Sequence, residues 1–150
     1  AVRSLLDHAG LGYATPIAMD SAAQATRQVD YGWRINSLFG GMRERQAVDG
    51  ADLRDLARAY DEGFATSCQQ VGGTYSSSYD KLIATNSTLS VSGTGLCKTA
   101  DQRVTAVAVL FHLASTNMFT FVLFEGERRD LPEAMASRDA MRRALQTAYR

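Results

Sequence analysis

The chain has 150 residues, 45% of them hydrophobic and 21% charged, and its 16 basic residues are balanced by 16 acidic ones. Those values exclude an intrinsically disordered chain and fit one domain that buries about two-thirds of its unfolded surface. A formal net charge of zero provides no long-range pull toward nucleic acid or an anionic membrane, so neither is expected as a partner.

Of the 16 basic residues only Lys81 and Lys98 are lysine, a bias read as genome composition before phosphate binding. No apolar run approaches the roughly 20 residues that span a bilayer; the longest, Val104 to Leu113, has the length of a strand. The opening residues lack the charged-then-apolar pattern of a secretory leader. Cys68 and Cys97 lack the spacing of a redox pair and are too few for a metal cage. Two readings stay open: buried free thiols in the cytoplasm, or a structural disulfide in an exported protein. The second is favoured, because these are the only cysteines and the segment between them is rich in Ser, Thr and Gly, as exported β-structure is. Such a bridge would contribute roughly 3.5 kcal/mol by chain-entropy arithmetic.

Along the chain, residues 1–30 are poorly assigned. Ser4 to Ala9 suggests a helical turn ended by Gly10, Tyr13 to Ile17 an edge strand containing Pro16, and Asp20 the cap of a short Ala-rich helix. Tyr31, Trp33, Ile35 and Leu38/Phe39 read as a strand, broken at Gly40-Gly41 by a bulge or hairpin. Asp49 is the expected cap of an amphipathic helix over about 50–68, with Leu53, Leu56, Ala57, Tyr60 and Phe64 on its apolar face. After Gly72-Gly73, strands are expected over 74–79, 82–84 and 88–92, each with one wet face, and Gly93 and Gly95 mark a turn or bulge.

Val104–Leu113 and Met118–Glu125 form the strongest strand pair, joined by Ser115-Thr116-Asn117. Ala106, Ala108 and Leu110 share one face while Val107, Val109 and Phe111 share the other, and the partner strand repeats the pattern. Both faces of this hairpin are apolar, so both must be covered. A helix over about 130–149 supplies one cover, with Asp130 and Glu133 as a capping box and Pro132 in the first turn. The fold class is therefore α+β: a single domain, 1–150, with a mostly antiparallel sheet of five or six strands packed by the middle and C-terminal helices. Whether both helices share one face stays open. If they do, the second face needs the N-terminal segment or a partner subunit. The order strand–helix–strands–helix resembles the plan of several exported accessory and ligand-binding folds, a likeness of layout that no motif carries to a family.

Chemistry-bearing motifs are missing. With only His8 and His112 no metal cage is expected, and His112 reads as a half-buried strand histidine bonded to a nearby carbonyl. A nucleophilic pair of His112 with Cys68 or Cys97 has no local signature. Ser76, Ser77 and Ser78 lie in no nucleophile elbow, and the glycine pairs match no phosphate-binding loop. Asp61, Glu62, Glu125 and Glu127 read as solvated charge, and Asn86-Ser87-Thr88 as a chance sequon. No catalytic residue, metal or cofactor is assigned. The site candidates are Tyr31, Trp33, Tyr75 and Tyr79, which would line one strand face as a ligand or partner surface, and Cys68 with Cys97 as a disulfide. The favoured function is a non-catalytic, periplasmic or secreted accessory domain that docks a protein partner or a second copy of itself. A pocket for a small apolar ligand between sheet and helices is the alternative, and a cytoplasmic enzyme with dispersed catalytic residues the third.

Overall fold

A computed structural model of the chain describes residues 2–149. The elements are α1 (Val2–His8), β1 (Thr15–Ile17), α2 (Ser21–Arg27), β2 (Tyr31–Ile35), β3 (Leu38–Gln46), α3 (Leu53–Gln70), β4 (Thr74–Tyr79), β5 (Ile83–Ala84), β6 (Thr88–Lys98), β7 (Val104–Ala114), β8 (Met118–Glu127) and α4 (Leu131–Ala148). They build the α+β class read from the sequence, with one antiparallel sheet in the order β1-β2-β3-β8-β7-β6-β4 and β5 paired to β6. Eight strands exceed the five or six expected: the segment read as one strand from Tyr31 is the pair β2 and β3, and the short β1 and β5, three and two residues long, also join the sheet.

The doubly apolar pair sits at the centre. β7 and β8 are neighbours in the middle of the sheet, and the two helices lie on opposite faces. Ala108, Leu110, Val122 and Phe124 join Met141 and Leu145 of α4 and Leu6 of α1 in one core cluster. Val107, Val109, Phe111, Phe121 and Leu123 join Leu53 and Ala57 of α3 in the other. Tyr60 of α3 caps that second cluster, its ring 4.7 Å from Phe121, 5.5 Å from Phe119 and 5.8 Å from Phe111. The result is three layers, helices over sheet over helices, in which a single chain covers both faces.

Several boundaries differ from the sequence reading for local reasons. Gly40-Gly41 does not break a strand; both lie inside β3, and the turn is at Asn36-Ser37, where Asn36 takes a left-handed φ of 53°. The glycines are there for space. A Cβ on Gly40 would stand 2.1 Å from Trp33 Nε1, and one on Gly41 2.8 Å from a Val29 methyl. Likewise Gly93 and Gly95 lie within β6, which runs to Lys98. Asp52, not Asp49, caps α3, its carboxylate accepting from Arg54 N and Asp55 N. At α4 the capping box belongs to the short 3₁₀ turn Arg128–Asp130, where Asp130 accepts from Glu127 N, while Glu133 instead accepts from Asn36.

The largest departure concerns polarity. The Thr88, Ser90 and Ser92 side chains of β6 do not face water; all three are buried. Arg138 of α4 is buried as well, 3% exposed, and donates to Gly93 O at 2.8 Å. Alternation placed these hydroxyls on one face of β6 correctly, but that face is covered.

Gly40→Ala tests the packing directly. The buried Trp33 ring has nowhere to move, so the substitution should lower stability by about 1–3 kcal/mol, read as a shift in denaturant midpoint at unchanged slope.

Candidate functional site

Asp61, on the sheet-facing side of α3, gathers three hydroxyls from β4. Tyr75 Oη donates to Oδ1 at 2.8 Å, Tyr79 Oη to the same oxygen at 2.7 Å, and Ser77 Oγ to Oδ2 at 3.1 Å. The strand's two-residue period puts 75, 77 and 79 on one face. Gly93 and Gly95 make the bed for the rings: a Cβ there would lie 2.4 Å from the Tyr79 ring and 2.6 Å from the Tyr75 hydroxyl. Burial, reinforced by hydrogen bonds to Asp61 and its charge, holds both phenols protonated well above the ordinary tyrosine range. A carboxylate that accepts three O–H donors has most of its lone pairs committed. Asp61 is thus a tether that pins an edge strand to α3 and not the solvated charge expected from its helix position. Glu62 next to it is exposed, as expected.

The four aromatic residues read as one surface are divided between two. Tyr75 and Tyr79 come together at the β4 edge. Trp33 and Tyr31 lie on β2, near the opposite edge: Trp33 is 1% exposed and packs edge-on against Phe124, whereas Tyr31 is 53% exposed. Trp33 is core. The separation is a matter of strand order, which local sequence does not carry.

Cys68 and Cys97 are bonded, joining the end of α3 to β6 across 29 positions. The chain turns over the bridge at Gly73, where a Cβ would lie 2.6 Å from Cys68 Sγ and 2.7 Å from Cys97 Sγ. Bonded sulfurs leave no thiolate for a pair with His112. That histidine is not half-buried with a carbonyl partner either: it is 0% exposed, and neither ring nitrogen has a hydrogen-bond partner among the described residues. Its register neighbours on the same face are Ser90 and Thr120, also buried and without a side-chain hydrogen-bond partner among the described residues. Desolvation pushes its pKa down to about 4, so the ring is neutral.

Besides a cleft of about 530 Å³ beside Asp61 and Tyr79, two clefts open on the α3 side and share part of their lining. One, of about 880 Å³, lies at the end of the sheet where β8 leaves it and is edged by Arg27, Arg34, Arg103, Arg128 and Arg129. Those arginines come from α2, β2, the β6–β7 turn and the turn after β8, segments that the fold alone brings together. Arg27 bonds Glu125 at 2.9 Å and lies over the Phe39 ring at 4.6 Å. The other cleft, of about 210 Å³, runs between Phe64, Val71, Tyr75, Val107 and the disulfide. Arg27, Thr105 and Glu125 line both. Among the described residues no group of three or more His, Cys, Asp or Glu is placed to hold a metal ion, and no helix is long and apolar enough to cross a membrane.

The class defined by this geometry is a three-layer domain with one antiparallel sheet between helices, tethered edges and a groove on one side. Its fold is similar to that in the solution structure of cyanobacterial PsbP (CyanoP) from Synechocystis sp. PCC 6803, with a TM-score of 0.62 and 7% identity over 87% of this chain and 79% of that one. At that identity the likeness is one of fold. No family model and no curated protein sequence matches the chain.

Two substitutions test the polar groups. Asp61→Ala should cost about 2 kcal/mol, the loss of hydrogen bonds to a charged acceptor, and should speed amide exchange across Thr74–Tyr79 while β7 and β8 stay protected. For His112 the folded pKa is depressed below the ordinary 6.5, so its stabilising contribution is whole above pH 6.5. It is lost as pH falls toward 4, by about 3 kcal/mol in total. In His112→Leu the denaturation midpoint should lose that part of its dependence between pH 7 and 4.

Proposed function

We propose that this domain is a non-catalytic accessory module, exported to the periplasm or secreted, that docks a protein partner along the two adjoining clefts. The observation that carries the reading is the adjacency of those clefts, which share Arg27, Thr105 and Glu125 as lining and stay open on a molecule whose broad sheet faces are both covered. The doubly apolar hairpin is spent inside the chain, which removes the reason to invoke self-association through it. Tyr75 remains a candidate partner residue because it lines the groove, and Tyr79 lines the neighbouring cleft beside Asp61. The cleft beside the disulfide, about 210 Å³, is smaller than the roughly 300 Å³ that encloses a whole small ligand, which suits it to a single side chain of a partner. The Cys68–Cys97 bond supports an oxidising compartment.

A photo-crosslinking residue at Val71, which is exposed on the groove rim, tests the docking. In the cells that make the protein it should give discrete adducts that the same residue at Val48, exposed before α3, does not. Equal adducts from both positions, or none, would contradict it. Thiol titration of the denatured, unreduced protein from those cells should find no free thiol; two would overturn export.

A further inference from the structure

Resting on the docking reading, we propose that the groove takes an extended acidic peptide segment of the partner, its carboxylates held by Arg34 and Arg128 and a following apolar side chain seated beside the disulfide.

The charge balance within the cleft points to an anion. Over the whole chain acid and base cancel, yet five guanidiniums meet three carboxylates here. All three carboxylates are engaged. Glu125 holds Arg27 at 2.9 Å, Glu127 holds Arg129 at 3.0 Å, and Asp130 accepts from Ser37 Oγ and Glu127 N, both at 2.8 Å. Arg34 and Arg128 are exposed and have no carboxylate partner among the described residues, and Arg103 reaches Asp101 only at 3.6 Å with both heads in water. The cleft therefore keeps unsatisfied positive charge on planar forks that match carboxylate oxygens two at a time.

The surroundings select the kind of anion. Arg34 stands opposite Phe39 in the β2–β3 register and shares its face, and the Phe39 ring in the same cleft lies under Arg27. On the other side of the Arg27–Glu125 pair, which lines both clefts, is the small cleft walled by Phe64, Val71 and Val107. A segment with acidic residues followed by one large apolar residue meets each part in turn. A nucleic-acid backbone does not. Its evenly spaced phosphates would run over Glu125 and Glu127, and a chain of zero net charge gives it no steering.

The test is fluorescence anisotropy with the whole disulfide-bonded chain and a short labelled peptide of Asp and Glu ending in Leu. Saturable binding at low salt is expected. It should weaken at least about tenfold in R34E/R128E, consistent with loss of close charge pairs, and further when the peptide's Leu is replaced by Ser. Because both arginines are exposed, the variant should melt as wild type does. A peptide with Lys in place of the acids should bind it better than it binds wild type, which separates lost charge from lost fold. No saturable binding, or equal affinity in R34E/R128E, overturns the proposal. So does a single-stranded oligonucleotide of equal charge that binds as tightly and is lost in the same variant. If Val71 adducts persist in R34E/R128E cells, the partner docks without an acidic segment: this proposal falls while the docking reading stands.

Discussion

Everything in this molecule follows from a hairpin that has no wet side. β7 and β8 carry apolar side chains on both faces, and Ala108, Leu110, Phe111, Phe121, Val122, Leu123 and Phe124 are all inaccessible to water or nearly so. At about 25 cal/mol per Å² of apolar surface removed from water, neither face can be left open, and a sheet has only two ways to cover both: a second chain, or helices of its own on each side. Here α3 takes one face and α4, backed by α1, takes the other. The covering is complete within one chain. What remains for recognition is the rim of the sheet, where strands end and helices stop.

How much of this was legible depended on whether the information was local. The two long helices, the central strand pair and its three-residue turn follow from periodicity and turn residues, which act over a few residues. The placement of α3 and α4 on opposite faces does not. It depends on strand order, and the chain's own pattern supplies only the demand that two covers exist. The glycine errors have one cause: at Gly40, Gly41, Gly93 and Gly95 the missing side chain serves a neighbour's bulk, Trp33, Val29, Tyr79 and Tyr75 respectively, and a glycine in sequence looks the same whether it turns the chain or makes room. The buried hydroxyls of β6 misled for a related reason, since alternation tells which residues share a face and says nothing of what lies above it.

The candidate site was partly visible. Tyr75 and Tyr79 are legible as aromatic residues on predicted strand, and the pair does converge, but on Asp61, a carboxylate whose helical position suggests plain solvation. Ser77 between them completes the same tether. The cysteine pair was visible as a pair, and its bond ties the end of α3 to the strand next to β4, so the edge strand lies on a scaffold fixed at both ends. The arginine-lined cleft had no signal at all. Its residues are scattered from position 27 to 129 in a chain whose acids and bases cancel, and only tertiary structure gathers them.

Native-state hydrogen exchange on the protein, with its mass in solution established by sedimentation, tests the central claim most directly. A monomer whose amides in Val107–Phe111 and Phe121–Phe124 exchange only through global unfolding is the predicted result. A monomer in which those amides exchange through local opening, or protection that appears only when two chains associate, would contradict an account in which one chain covers both faces of its central strands.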